Sequence, residues 1–97
     1  MKHCIIVKWN ETVTDKAALL SEVHALFSSA TRVSGVTGTT VLENCIAREN
    51  RYDLAIVLDM DRDALSAWDG SELHKKWKAD YGERIASKAI FDFEPET

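Results

Sequence analysis

The chain has 97 residues, enough for one domain and too few for two, so a single domain over residues 1–97 is expected. A domain of this size buries only about 60–65% of the surface of its unfolded chain, so its own core is modest and association helps it. Apolar residues make up 45% and charged residues 29%, an ordinary globular balance. The net charge of −4 excludes nucleic acid as the main partner, because neutralising phosphates needs a basic face.

Residues 2–9 (KHCIIVKW) alternate with period two: His3, Ile5, Val7 and Trp9 share one face, Cys4, Ile6 and Lys8 the other. That is a strand with apolar groups on both faces. A polar turn at Asn10 and Glu11 leads to Thr14 or Asp15, either of which offers an N-cap oxygen. Ala17, Leu20, Val23 and Phe27 then recur at helical spacing, widened by Leu19, Leu26 and Ala30, which predicts an amphipathic helix of about four turns. Gly35 and Gly38 break the pattern, a second strand follows near 36–43, and residues 44–51 read as a polar connection.

Residues 52–60 (YDLAIVLDM) alternate strongly, with Tyr52, Leu54, Ile56, Leu58 and Met60 opposite Asp53, Ala55, Val57 and Asp59. Asp61 is placed to cap a short helix carrying Ala64, Leu65 and Trp68, stopped at Gly70. Ser71 caps another, whose inner stripe holds Leu73, His74, Trp77 and Tyr81. A last strand lies near 87–94, with Ala89, Phe91 and Phe93 on one face and Lys88, Ile90 and Asp92 on the other.

The order β-α-β-β-α-β, with the second helical segment broken in two, predicts an α+β fold of the ferredoxin-like plan. A four-stranded antiparallel sheet then carries helices on one face. The uncovered face would hold Cys4 and Ile6, Ala55 and Val57, and Ile90, an apolar centre within a charged rim. Such a surface invites a second copy, so we expect a homodimer in which two sheets pair into an α+β barrel. No apolar run approaches the roughly 18 residues that span a bilayer. Met1-Lys2-His3 leads directly into the first strand, with no signal-peptide apolar region. The expectation is therefore a cytoplasmic protein with no membrane partner. Cys4 and Cys45 are too few for a disulfide scaffold and are expected to be reduced and partly buried.

Five segments together resemble the stress-responsive A/B barrel domain (Dabb) family: Lys2 to Lys8, Val33-Ser34-Gly35-Val36, Arg51 to Ala55, Ala64 to Trp68 leading to His74, and Ala89 to Glu94. The resemblance spans nearly the whole chain and implies a ferredoxin-like protomer and a dimeric α+β barrel. The family includes plant stress-induced proteins, bacterial proteins of no assigned role and a plant polyketide cyclase. His3 and His74 match the two histidines lining that cyclase's pocket. The chain departs from it at Trp68 and Ala25, where the cyclase has tyrosines, and at Glu72, where a proline is common.

His74 is the leading candidate for a general base and His3 for a second proton donor, because imidazole is the side chain suited to proton transfer near neutral pH. Trp68, Trp77, Tyr52 and Tyr81 are candidates for lining a ligand pocket, and Asp53 either orients an imidazole or is a solvated strand-end carboxylate. His24 and the Lys75, Lys76 and Lys78 group read as solvated surface. Scattered histidines without paired spacing predict no metal, and no glycine-rich phosphate loop is present, so no cofactor is expected. Three readings follow: a dimer that holds a small apolar or carbonyl-containing ligand, a cofactor-independent lyase, cyclase or isomerase using His74 with His3, and a monooxygenase-like relative.

Overall fold

The structure is a computed structural model and describes residues 1–96; Thr97, the last residue of the expected domain, lies outside the described residues. The elements are β1 (Lys2–Trp9), α1 (Lys16–Phe27), β2 (Val36–Glu43), β3 (Leu54–Met60), α2 (Ala64–Asp69), α3 (Glu72–Tyr81) and β4 (Ile85–Phe93). This is the β-α-β-β-α-β order expected, with α2 and α3 together making the second helical segment. The sheet is antiparallel throughout, in the order β2-β3-β1-β4.

One expectation is overturned. The sheet is open and is not closed into a barrel: β2 and β4 are edge strands, each paired to one neighbour only. Four strands are too few to close around a core. Here the core forms instead between one sheet face and the helices.

β1 sits inside the sheet and sets the packing. His3, Ile5, Val7 and Trp9 are all at most 5% exposed, so its alternation maps directly onto a buried face. Against that face α1 places Leu19, Val23 and Phe27, one helical turn apart, while α2 and α3 contribute Trp68, Trp77 and Tyr81. Phe27 lies at the centre, with ring centroids 5.3 Å from Trp77 and 5.8 Å from Trp68. Ala17, expected in the inner stripe of α1, is exposed.

The caps match the local chemistry. The Asp15 side chain accepts from the Ala18 N–H at 3.0 Å, and Ser71 Oγ accepts from the His74 N–H at 3.1 Å. Asp61 does not cap α2 through its side chain; its backbone carbonyl accepts from the Ala64 N–H at 2.9 Å. β3 starts at Leu54, two residues later than the alternation suggests. Asp53 is held apart as a clamp, with Oδ2 accepting from the Trp9 N–H and Oδ1 from Lys16 Nζ, both at 2.8 Å. It orients a strand end and a lysine, and no imidazole.

The register of β4 corrects a second expectation. Ile90 pairs with Ile5 and Asp92 with His3, so both face the helices, whereas Ala89 and Phe91 pair with Ile6 and Cys4 on the open face. The open face is thus built around Ile6, Leu42, Phe91 and Phe93, with Leu42 50% and Phe91 61% exposed, and not around Ile90. The phenyl rings of Phe91 and Phe93 lie 6.0 Å apart.

Two glycines are set apart by their surroundings. Gly35 has φ +86°, and a Cβ there would lie 2.5 Å from Ala64 Cβ. Gly82 has φ −53° with nothing within 4 Å of a Cβ. Gly35→Ala is therefore expected to destabilise the fold by about 2–4 kcal/mol. Gly82→Ala is expected to stabilise it by about 0.4–1 kcal/mol through the unfolded chain. Urea unfolding of both variants measures the contrast.

Candidate functional site

The β1–β4 ladder sets opposing residues on the same side of the sheet. His3 with Asp92, Ile5 with Ile90 and Val7 with Lys88 form successive rungs on the helix side. Above them α2 supplies Leu65 and Asp69, and α3 supplies His74, Trp77 and Lys78. Between these layers lies a cleft of about 280 Å³. Its apolar lining comes from Ile5, Leu65, Trp77 and Ile90, and its polar groups converge from four elements. A small apolar hollow with a few directed polar groups has the composition of a ligand site.

Hydrogen bonding fixes how the two imidazoles are used. His3 is 5% exposed, and its Nδ1 bonds the Asp92 carboxylate. An ionised carboxylate only accepts, so Nδ1 of His3 carries the proton. His74 Nδ1 lies 3.0 Å from the backbone carbonyl of Asp69, which also only accepts, so Nδ1 is the donor here too. In the neutral ring of each, Nε2 is then the basic nitrogen. The His74 ring rests 5.2 Å from the ring of Trp68. Ser71 caps the helix on the His74 N–H, so the cap lies in the turn between α2 and α3 and the imidazole anchor is the last residue of α2.

The other sequence candidates divide. Trp77 lines the cleft. Trp68 is fully enclosed beneath His74, and its Nε1–H has no partner among the described residues. Tyr81 stacks on Trp77 at 5.2 Å, and its hydroxyl donates to Glu22 Oε1 at 3.2 Å. Burial, then the bond to Glu22, pushes this phenol above its ordinary pKa, so it stays protonated. Tyr52 lies elsewhere, in a shallow hollow with Ile6, Leu42 and Ala55 on the open face. The tyrosines therefore add no hydroxyl to the two imidazoles. His24 is exposed on α1, away from the cleft.

Sequence reasoning missed Asp69, Asp92, Lys78 and Lys88. The last three carry a signal in hindsight. Asp92 and Lys88 alternate with Ile90, so whichever face takes Ile90 takes them too, and Lys78 is one turn beyond His74. Among the described residues no group of three or more His, Cys, Asp or Glu is placed to hold a metal ion. Among the described residues no helix is long and apolar enough to cross a membrane. Both cysteines are free: Cys45 is exposed in the β2–β3 connection, and Cys4 is half-buried with its thiol pushed up by burial.

No protein-family model matches the sequence, and no curated protein matches it. Solved structures do match. A dimeric ferredoxin-like protein of unknown function from Thermobifida fusca superposes with a TM-score of 0.79 at 21% identity, over 95% of this chain and 87% of that one. A Dabb-family protein from Mesorhizobium loti gives 0.74 at 14% identity, over 99% and 96%. The hydroxynitrile lyase of Passiflora edulis gives 0.76 at 8% identity, over 99% and 94%. What they share with this chain is the ferredoxin-like fold. Several proteins of this shape are dimeric.

The bonding pattern predicts that at pH 8 both His3 and His74 hold their proton on Nδ1. Imidazole nitrogen chemical shifts report this directly, and a ring protonated on Nε2 at either position would contradict the geometry.

Proposed function

We propose that this protein is a homodimer in which each protomer binds a small carbonyl-containing molecule and moves protons on it with His74, assisted by His3. The observation that carries this reading is that both imidazoles line one cleft with Nδ1 tied and Nε2 left as the basic nitrogen. Two imidazoles with basic Nε2 atoms beside apolar side chains suit proton abstraction next to a carbonyl, as in enolisation, aldol closure or its reverse: His74 takes a proton, and His3 returns one once it has itself gained a proton. Asp92 would stabilise His3 as it gains charge. Asp69, through its neutral carbonyl, holds the ring of His74 without adding that charge at the bond. The reading makes the protein a cofactor-independent lyase, cyclase or isomerase of the Dabb type. A lyase on the same fold supports that class. Nothing in the cleft favours the monooxygenase-like alternative.

The dimer rests on the open face. Exposed Leu42, Phe91 and Phe93 with Ile6 between strands make a continuous apolar surface, of the kind that monomers seldom leave in water. Dimeric proteins of the same fold point to a second copy of this chain as what covers it. Light scattering on the eluted protein is expected to give twice the chain mass, and Phe91→Asp to give the chain mass. A wild-type protein of single-chain mass would remove the dimer.

The chemistry is tested with a small aryl ketone, 4-hydroxyacetophenone, by following exchange of its α-protons in deuterium oxide. Exchange above the buffer rate is expected. His74→Ala should lower the enzymic rate by about 10²–10⁴. A rate indifferent to that change would leave the cleft as a binding site without turnover.

A further inference from the structure

The cleft has a polarity along its length. At one end His3 and Asp92 form a rung, with His74 and Asp69 above them. At the other end Lys88, on the Val7 rung, lines the cleft together with Lys78 of α3. Ile5, Ile90, Leu65 and Trp77 lie between. Lys2, Lys16, Lys75 and Lys76 all have carboxylate partners, and Lys8 has a backbone carbonyl. Lys78 and Lys88 have no hydrogen-bond or ion-pair partner among the described residues. In a chain of net charge −4, two uncompensated ammonium groups from different elements face the same hollow.

We infer that the ligand of this cleft is an organic anion whose charged group sits between Lys78 and Lys88 and whose apolar body runs toward the imidazoles. The inference rests on the ligand-binding reading of the cleft above and adds the charge and orientation of what is bound. The carboxylates of Asp69 and Asp92 repel an anion from the imidazole end and leave that end to the neutral, carbonyl-bearing part. Lys88 and Asp92 are four residues apart on one strand, about 13 Å along it. His74 and Lys78 are four apart on one helix, about 6 Å along it. The anion and the reacting carbon are therefore separated by about the length of an aromatic ring or a short alkyl chain. A volume of about 280 Å³ holds a molecule below drug size. Lysine ammonium groups act as point charges without the planar fork of arginine, so they set charge more than head-group shape.

The test uses two probes of one shape, 3-phenylpropanoate and neutral 3-phenylpropanamide, titrated into the full chain at low salt with binding followed by the imidazole and backbone NMR signals. The carboxylate is expected to bind about five- to tenfold more tightly than the amide, a gap that narrows as salt is raised. Lys78→Gln with Lys88→Gln should erase the preference and leave amide binding as it was. The same two positions changed to Arg should keep it. Both lysines are exposed, so neither pair of changes disturbs the core. Equal binding of the two probes, with the His3 and His74 signals shifting for both, would overturn the anion assignment while leaving the cleft a ligand site. A preference that survives in the glutamine double variant would overturn it as well. If neither probe moves the imidazole signals, the binding reading falls and the inference with it.

Discussion

The pairing of β1 with β4 is the constraint on which the rest depends. It joins the first strand to the last, and it alone places Asp92 opposite His3, 89 residues away in sequence. A histidine 5% exposed on an inner strand needs a partner for its N–H, because a buried unsatisfied donor costs about 1–3 kcal/mol. The partner comes from the edge strand, where a carboxylate 38% exposed keeps contact with water and avoids the full cost of burial. The same rungs set Ile90 on Ile5 and Lys88 on Val7, so one ladder supplies the polar end, the apolar floor and the cationic end of the cleft.

The helices complete what the ladder begins. Phe27, Trp68 and Trp77 pack edge to face or tilted at the middle of the core, which fixes α2 and α3 over β1 and β4. The first turn of α3 then carries His74 over the cleft. Its geometry is doubly specified, by Ser71 capping the backbone and by the Asp69 carbonyl holding the ring. Packing against Trp68 and the bond to the Asp69 carbonyl together orient the ring.

Much of this was legible in the sequence, and the boundary of legibility is physical. The alternation of β1, the amphipathic helices and the Ser71 cap are local and periodic, so the element order and the inward placement of His3, His74 and Trp77 could be read directly. Periodicity says which residues share a face; it does not say which face. β4 has apolar groups on both sides, Ile90 on one and Ala89, Phe91 and Phe93 on the other, so its orientation hung on the register with β1. That is why Ile90 was expected on the open face and why Asp92 and Lys88 escaped notice. Tyr52 and Tyr81 show a second boundary: a residue's face is local, but its position along the sheet and its partners are not. Tyr81 is turned to Glu22 of α1 and Tyr52 to the far side of the sheet. The expected barrel failed for a third reason. A sequence shows an apolar second face but not how a sheet's edges end, and here both edges stay open.

The two faces of β4 cannot be understood separately. Lys88, Ile90 and Asp92 form one wall of the cleft, while Ala89 and Phe91, with Phe93 beyond them, stand on the other side of the same backbone. A slip of one residue would carry Phe91 into the cleft and Asp92 out of it, leaving His3 without its carboxylate. An edge strand paired on one side only resists such slipping less than an inner one. Its outer-face phenylalanines are therefore more than a surface to be hidden. Covering Phe91 and Phe93 with a second copy would fix the edge strand from behind, and with it the rung that orients His3. In this architecture the exposed apolar face and the cleft geometry are two consequences of one strand's register. Loosening the open face should therefore be felt first at the His3–Asp92 pair, before the buried aromatic centre.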